Sequence, residues 1–228
     1  MPGTPAISVK RAAKLKTKKH RETERLFLAE GTAILKEAPA EPLQVFDGPE
    51  QLRRVSTLTT PAGPAGVFPF LDVDAARLLS AVRRVVLLHG VQDPGNVGTA
   101  IRSAHAFGAG VALSRGCADL YNPKTVRATM GSIFHTPVAR DLESVDLLAE
   151  AGSADFGLVA AVPEAGGTPE SLPRGRLVIC IGAEGSGLPD EVIRACEMRV
   201  HIPSLAPSLN ASVAASILLY EAYSRVLP

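Results

Sequence analysis

The sequence predicts an α/β fold with a mostly parallel sheet, preceded by a small α/β unit. Strand-like and helix-like segments alternate after residue 84, and the apolar runs 157–162 and 177–181 carry no polar alternation. Strands of this kind are covered on both faces, as in a parallel sheet flanked by helices. The chain has 228 residues, and we predict two domains, 1–80 and 81–228.

The first domain is predicted to begin with a helical segment over 8–37, since apolar residues recur there among charged ones and prolines follow. Short strands are expected at 43–46 and 67–71. The segment 52–58 is ambiguous, and the Gly/Pro-rich stretch 60–66 is typical of a loop. A unit of this size is marginal on its own.

The second domain alternates more regularly, with a boundary near 72–83. We predict strands at 85–89, 111–113, 157–162 and 177–181, and helices at 96–107, 122–130 and 208–225. The apolar stripe of the last helix is predicted to consist of Leu209, Val213, Ile217 and Leu218.

Composition narrows the class of protein. Hydrophobic residues make up 46% of the chain and aromatic residues only 4%, which predicts an aliphatic core. Cys117, Cys180 and Cys196 are scattered, which argues against a disulfide framework or a zinc ribbon and favours a reducing, cytoplasmic setting. No apolar run approaches the length of a membrane span, and none follows the basic N-terminus as a secretory signal would require.

Positive charge is concentrated near the N-terminus. Eight basic and two acidic residues give 10–25 a net charge of +6, whereas the whole chain carries +1. This asymmetry favours an arm that binds a polyanion, most simply nucleic acid, although a solvated helix face fits the same pattern. The candidate RNA-binding residues are Lys10, Arg11, Lys14, Lys16, Lys18, Lys19 and Arg21.

Three separated segments, 93–102, 181–188 and 202–214, each follow an apolar, strand-like run and combine small residues with one or two polar ones. Loops of this composition offer their backbone to a ligand at the strand ends of a sheet. Each segment alone also fits a structural role: a capped strand-to-helix junction, a tight turn and a helix N-terminus. The second lacks the spacing of a dinucleotide fingerprint or a P-loop, which argues against a dehydrogenase.

Particular side chains in these segments are candidates for chemistry. Asn96 and Ser208 can each cap the helix that follows. Arg102 lies among small and apolar neighbours, which favours a specific partner. Glu184 lies between small residues where a core role is improbable, and Arg102 is the candidate partner of its carboxylate.

Taken in order, the three segments resemble the SpoU/TrmH family of RNA ribose 2′-O-methyltransferases. DPGNVGTAIR, GAEGSGL and SLNASVA match the family's three motifs, and the resemblance covers roughly residues 84–226. It implies a C-terminal trefoil knot of the SPOUT type, a homodimer, and S-adenosyl-L-methionine as cofactor without a metal. It also implies the catalytic residues Asn96, Arg102, Glu184, Ser208 and Asn210, and the cofactor-binding residues Ala160, Val162, Gly182, Gly187, Ile202 and Leu209.

The implied reaction is attack of a ribose 2′-hydroxyl on the methyl group of the cofactor. Because guanidinium stays protonated, we expect Arg102 to orient and polarise the hydroxyl together with a substrate phosphate. The stretch 203–208 is about two residues shorter than the family pattern and lacks its glycine, so the cofactor loop is expected to differ in shape.

The first 80 residues resemble, more weakly, a ribosomal-protein-like substrate-binding domain, chiefly through FLAEG at 27–31. This favours rRNA as substrate, with tRNA as the alternative. A knotted RNA-binding module without activity is a further alternative, but the intact Asn96, Arg102, Glu184 and Asn210 argue against it.

Overall fold

The structure, a computed structural model, describes residues 6–225. The strands are β1 (Leu26–Glu30), β2 (Gln44–Phe46), β3 (Ala65–Pro69), β4 (Arg84–His89), β5 (Gly110–Ser114), β6 (Val138–Leu142), β7 (Gly157–Ala161), β8 (Leu177–Gly182) and β9 (Met198–Val200). The helices are α1 (Val9–Lys14), α2 (Lys18–Glu24), α3 (Thr32–Lys36), α4 (Pro49–Val55), α5 (Ala75–Ala81), α6 (Pro94–Ala106), α7 (Pro123–Ala128), α8 (Ser144–Ser153), α9 (Asp190–Ala195) and α10 (Ala211–Ser224). Within this part of the chain, no helix is both long and apolar enough to cross a bilayer.

Two sheets organise the fold. The first is antiparallel, in the order β1-β3-β2, and the second has six parallel strands in the order β6-β5-β4-β8-β7-β9. The predicted α/β class with a mostly parallel sheet is therefore confirmed. Because β8 lies between β4 and β7, the segments that follow these three strands meet at one edge of the sheet. The trefoil knot stays a prediction.

The prediction of one helical segment over 8–37 was wrong in its middle. Arg25 adopts a left-handed conformation with φ of 54°, which ends α2, and the next five residues form β1 with every side chain buried. Helical periodicity exposes part of each turn, whereas this run pairs with β3 along its length. The ambiguous segment near residue 52 is α4, and the sequence analysis did not predict β6, α8, α9 or β9.

The two units share one hydrophobic core. Phe27 and Phe68 of the antiparallel sheet belong to the same buried cluster as Val86 and Ile179 of the parallel sheet. Although α5 precedes the predicted boundary at residue 80, it packs against β5 and β6. The sequence pattern marks where the composition changes, but the N-terminal unit packs against the second one, chiefly through β1 on α7.

A buried polar group joins the two units. The hydroxyl of Tyr121 donates a hydrogen bond to Asp72 Oδ1 (2.6 Å) and accepts one from the backbone N–H of Leu71 (2.6 Å). Arg140 lies over Tyr121 and pairs with Asp72 (3.3 Å) and Glu22 (2.8 Å). Burial alone would raise the pKa of Asp72, but the Tyr121 hydrogen bond and the neighbouring guanidinium groups outweigh it and lower the pKa overall.

We expect Asp72→Asn to lower the free energy of unfolding at pH 7 by about 2 kcal/mol, since it leaves Arg140 partly uncompensated at a junction where Asp72 is mostly buried. The pKa of Asp72 in the folded protein is lower than its ordinary value of 3.8. The contribution of Asp72 to stability is therefore fully present above pH 3.8, and it is lost as the pH falls through the folded-state pKa. Urea unfolding at pH 7 and in acid measures it. Glu150→Gln, at an exposed position on α8, is the control. If wild type and Asp72→Asn differed in unfolding free energy by the same amount at both pH values, the role of the Asp72 carboxylate would be contradicted.

Candidate active site

The first predicted segment forms the N-terminus of α6, capped by Asp93 rather than by Asn96. Asp93 Oδ1 accepts hydrogen bonds from the backbone N–H groups of Gly95 (2.7 Å) and Asn96 (3.1 Å). The hydrogen bond from Lys124, followed by that from the Asn96 backbone, lowers the pKa of Asp93. The prediction that Asn96 caps this helix was therefore wrong, and its side chain is available for other contacts.

The third segment shows the same kind of shift. Asn210, not Ser208, caps α10, because Asn210 Oδ1 accepts from the backbone N–H groups of Ser212 (3.0 Å) and Val213 (3.3 Å). With its carbonyl oxygen engaged in this way, the side-chain amide nitrogen of Asn210 faces away from the helix.

Polar side chains from all three segments meet in one cluster. Asn210 Nδ2 donates to Glu184 Oε1 (2.9 Å) and to Asn96 Oδ1 (3.0 Å). Asn96 Nδ2 also donates to Glu184 Oε1. The predicted convergence of the three segments is thus present in the structure for Asn96, Glu184 and Asn210, which we call the amide–carboxylate cluster.

Ser212 completes this cluster and was missed by the sequence analysis. Its hydroxyl, which is buried, lies 2.7 Å from Asn210 Oδ1 and 3.3 Å from Asn96 Oδ1. A hydroxyl donor beside two carbonyl oxygens favours the orientation in which both amide NH₂ groups point at Glu184. The only sequence signal was its position two residues after Asn210, at the start of the last helix.

The second segment is a tight loop that requires glycine. A Cβ on Gly182 would lie 2.1 Å from the carbonyl carbon of Gly187, because the loop folds back on the end of β8. Gly187 has φ of 67°, and its N–H donates to the carbonyl of Ala183 (2.8 Å). The return of the loop brings Glu184 to the N-termini of α6 and α10.

A cavity of about 780 Å³ opens beside the cluster, between the ends of β7 and β8 and the segment 201–209. Its volume falls within the range of cofactor sites. Its wall carries the carboxylates of Glu164 and Glu184 and no lysine or arginine among the described residues. A wall of backbone groups, apolar side chains and carboxylates suits a ligand that combines an aromatic base with positive charge, as S-adenosylmethionine does.

Most residues predicted to bind the cofactor line this cavity, namely Val162, Gly182, Gly187, Ile202 and Leu209. Ala160 does not, because its side chain is fully buried in the core and the wall begins at Ala161. Ser208 lies in the wall but, within residues 6–225, forms no hydrogen bond with the cluster. The stretch 203–208, predicted to differ in shape, forms an exposed part of the wall.

Arg102 lies on the exposed face of α6 and makes no hydrogen bond or ion pair with any described residue. Asn96 and Ser103 share the helix flank that faces α10, where Ser103 contacts Ser216 (2.7 Å). Arg102 is rotated by about 100° from that flank toward solvent. The expected pairing of Arg102 with Glu184 was therefore wrong within one chain, where Glu184 Oε1 instead accepts from the two asparagine amides.

The basic N-terminal residues form packed helices rather than a free arm, since Ala12 and Leu15 are buried. The side chains of Lys10, Arg11, Lys14, Lys18 and Lys19 are exposed, and Lys16 is half-buried. Arg21 differs, because it is only 3% exposed and its guanidinium binds Asp119 and the carbonyl of Leu15 (2.8 Å). Because burial and the pairing with Asp119 keep its guanidinium away from solvent, the structure does not support Arg21 as an RNA-binding residue.

His201 lies in the cavity wall, and its buried Nδ1 has no hydrogen-bond partner. His105 and His135 stack on each other, and His135 contacts Glu37 (3.2 Å). Across the described part of the chain, no group of three or more His, Cys, Asp or Glu side chains is arranged to hold a metal ion.

Comparison with known proteins gives the class of the protein. Residues 83–220 match the SpoU rRNA Methylase family, and residues 7–46 match the MRM3-like substrate binding domain. A 23S rRNA (guanosine(2553)-2′-O)-methyltransferase of Bacillus subtilis is 34% identical, over 93% of this chain and 94% of the relative.

Two solved structures share nearly the whole fold. The AdoMet-bound rRNA methyltransferase from Sinorhizobium meliloti has a TM-score of 0.85 and 28% identity, covering 96% of this chain and 95% of the other. The SpoU methyltransferase AviRb from Streptomyces viridochromogenes, in complex with AdoMet, has a TM-score of 0.82 and 26% identity, covering 95% and 97%.

The fold, the cavity and these similarities define an RNA methyltransferase that uses S-adenosyl-L-methionine. The chain belongs to the SpoU rRNA methylase family.

Proposed function

We propose that this protein transfers a methyl group from S-adenosyl-L-methionine to a ribose 2′-hydroxyl of ribosomal RNA. The observation that carries the proposal is the amide–carboxylate cluster, which lies at the rim of the cavity and draws one residue from each of the three segments. The B. subtilis relative, which this chain matches over nearly its full length, is named for that reaction on 23S rRNA.

The cavity walls would hold the cofactor through residues of the predicted set. Val162, Ile202 and Leu209 offer apolar surface for the adenine ring, and the backbone of 182–187 offers hydrogen-bonding groups. When bound, S-adenosylmethionine supplies an electrophilic methyl group. Glu164 and Glu184 place negative charge in the wall, which favours a cationic ligand.

Asn96, Glu184 and Asn210 are proposed to position the ribose and the cavity loops, and Ser208 to contact the substrate from the wall. The reaction would form a bond between the 2′-oxygen and the methyl carbon, break the bond between that carbon and the sulfonium sulfur, leave S-adenosylhomocysteine, and release the hydroxyl proton to solvent. Arg102 is proposed to stabilise the negative charge that develops on the 2′-oxygen. It would do so by orienting the hydroxyl together with a neighbouring phosphate of the RNA. An exposed guanidinium with no hydrogen-bond or ion-pair partner within residues 6–225 suits a phosphate ligand.

We propose that the protein acts as a homodimer through α6 and α10. Val213, Ile217 and Tyr220 are exposed on α10 at spacings of four and three residues, so they form one apolar stripe. This stripe lies beside the exposed face of α6 that carries Arg102. Sedimentation velocity measures the assembly, and a monomer at micromolar concentration would contradict it.

The N-terminal unit is proposed to bind the RNA through the exposed Lys10, Arg11, Lys14, Lys18 and Lys19, with Lys16 at the edge of the same surface. This role is supported by the match of 7–46 to a substrate-binding domain. An rRNA substrate and three free cysteines are consistent with work in the cytoplasm.

The test is incubation of the purified protein with labelled S-adenosylmethionine and either unmodified 23S rRNA or unmodified tRNA. A ribose 2′-O-methyl group blocks alkaline cleavage of the adjacent phosphodiester, so cleavage mapping locates the product. We expect a single protected nucleotide in 23S rRNA, and the position named for the B. subtilis relative is the first to examine. Methylation of tRNA alone would support the alternative substrate, and cofactor binding without transfer to either RNA would contradict the proposal.

Ser212→Ala is expected to lower kcat by roughly 10-fold with little change in the KM for the cofactor, because the amides of Asn96 and Asn210 lose the donor that fixes their orientation. Ser212→Thr keeps a hydroxyl and should restore part of the loss. Ser216→Ala is the matched control, since Ser216 lies one turn further along α10 and binds Ser103 and the backbone carbonyl of Ser212 (2.6 Å) without touching the side-chain amides of Asn96 or Asn210. Equal kcat values for the Ser212 and Ser216 variants would exclude the positioning role.

A further inference from the structure

Two cysteines lie in contact beneath the cavity. The sulfur of Cys180, on β8, is 3.7 Å from the sulfur of Cys196, which follows α9. Cys180 is fully buried, whereas Cys196 is partly accessible to solvent. The proposed methyl transfer uses neither thiol.

The pair connects two walls of the cavity. Cys180 immediately precedes Ile181 and Gly182, which line the cavity and begin the loop that carries Glu184. The backbone N–H of Cys196 donates to the carbonyl of Ile193, another wall residue (3.3 Å). Both cysteines pack in the same hydrophobic cluster as Val162 and Leu188, which also belong to the wall.

The two thiols differ in acidity. The hydrogen bond between them lowers the pKa of Cys196 despite its partial burial and the nearby Glu197. The same hydrogen bond, reinforced by burial, raises the pKa of Cys180. A partly exposed thiol of lowered pKa beside a buried thiol is the arrangement in which one cysteine reacts first and the other resolves the product.

We propose that Cys180 and Cys196 form an oxidisable dithiol, a modification site that reacts with a hydroperoxide. Its oxidation forms a disulfide between the two cysteines beneath the cofactor cavity.

The chemistry needs only the hydroperoxide. The Cys196 thiolate attacks the O–O bond of hydrogen peroxide, which yields a sulfenic acid and, after proton uptake, water. The Cys180 thiol then attacks the sulfenic sulfur, forms the S–S bond and releases a second water. Two thiols are oxidised, one peroxide is reduced, and the protein loses two hydrogen atoms. A low-molecular-weight thiol reverses the step by exchange.

Closure changes the cavity because the sulfurs must approach. A disulfide has an S–S length of about 2.0 Å, so closure rotates the two cysteine side chains and draws the end of α9 toward strand β8. Ile193 and the loop 182–188 are attached to these two elements. We therefore expect the oxidised protein to bind S-adenosylmethionine about 5-fold or more weakly, within the range of coupling between two sites.

The experiment uses the full-length protein, oxidised with hydrogen peroxide or kept reduced with dithiothreitol. Mass spectrometry of unreduced tryptic peptides should show residues 180 and 196 cross-linked, and calorimetry should show weakened binding of S-adenosylmethionine that dithiothreitol restores. Cys180→Ser and Cys196→Ser should each remove the cross-link and the response to peroxide. Cys117→Ser is the matched control, because Cys117 is half-buried, binds the carbonyl of Leu88 (3.2 Å) and should leave the response intact.

Several outcomes would overturn the inference: no cross-link between 180 and 196, a cross-link that leaves cofactor binding unchanged, or a peroxide response that persists in Cys196→Ser. The reduced protein's own binding of S-adenosylmethionine and transfer to RNA serve as a separate readout. The dithiol and the proposed function can therefore fail independently.

Discussion

Glu184→Ala is expected to lower kcat for methyl transfer by roughly 100-fold, because it removes the acceptor shared by the amides of Asn96 and Asn210 and lets the three loops lose their alignment. Glu184 is exposed, so the melting temperature should change little. Glu184→Gln keeps one acceptor oxygen but replaces charge-assisted hydrogen bonds with neutral ones, and its kcat should be intermediate.

Single-turnover rates at saturating cofactor and RNA measure this effect, with the exposed Glu150→Ala on α8 as the control. If Glu184→Ala raised the KM for S-adenosylmethionine and left kcat unchanged, the carboxylate would act in cofactor binding rather than in alignment. If both constants stayed at wild-type values, the amide–carboxylate cluster would have no part in the reaction.

The parallel sheet and the three loops could be predicted because both depend on local patterns. Runs without polar alternation identify buried strands, and glycine-bearing segments after such strands identify loops at one edge of a sheet. The strand β1 could not be predicted in this way, because its five residues follow a charged helical pattern and are extended only through pairing with β3.

Side-chain roles inside the site were harder to predict, since several residue types can cap a helix. Asp93 and Asn210 take the capping positions that the sequence analysis gave to Asn96 and Ser208. Which residue caps the helix depends on where its first turn begins. Sequence patterns do not resolve that position to within one to three residues. Ser212 was missed for the same reason, because its partner 116 residues away becomes a neighbour only when α6 and α10 pack together.

The last helix was predicted correctly, but part of its predicted buried face is exposed. Val213 and Ile217 were predicted to be in its buried stripe, yet they are exposed, and small residues such as Ala211, Ala215 and Ala222 are buried instead. Close packing of α10 against α6 and β8 favours small side chains on the inner face. Leu218 is buried as predicted, whereas Val213 and Ile217 are left outside together with Tyr220, which is the basis for the proposed dimer face.

Arg102→Lys is expected to lower kcat by roughly 100-fold or more although it preserves the charge, because lysine lacks the planar fork with which arginine binds a phosphate in two hydrogen bonds. The side chain is exposed and makes no hydrogen bond or ion pair with a described residue, so we expect no loss through folding. Circular dichroism and the melting temperature should match the wild type, and Arg77→Lys, exposed on α5, is the control.

The position of Arg102, about 100° around α6 from the flank that faces the cluster, raises the question of which cavity it serves. Mixed dimers of Asn96→Ala and Arg102→Ala chains answer it. If Arg102 serves the cavity of its own chain, each site in the mixed dimer lacks one group and activity stays at the level of the single variants. If it reaches the partner's cavity, the Arg102→Ala chain keeps its own Asn96, receives an intact arginine from the other chain, and activity returns at one site of the two. Near-wild-type turnover of Arg102→Lys itself would contradict both geometries, because neither assigns the guanidinium a role that an ammonium could fill.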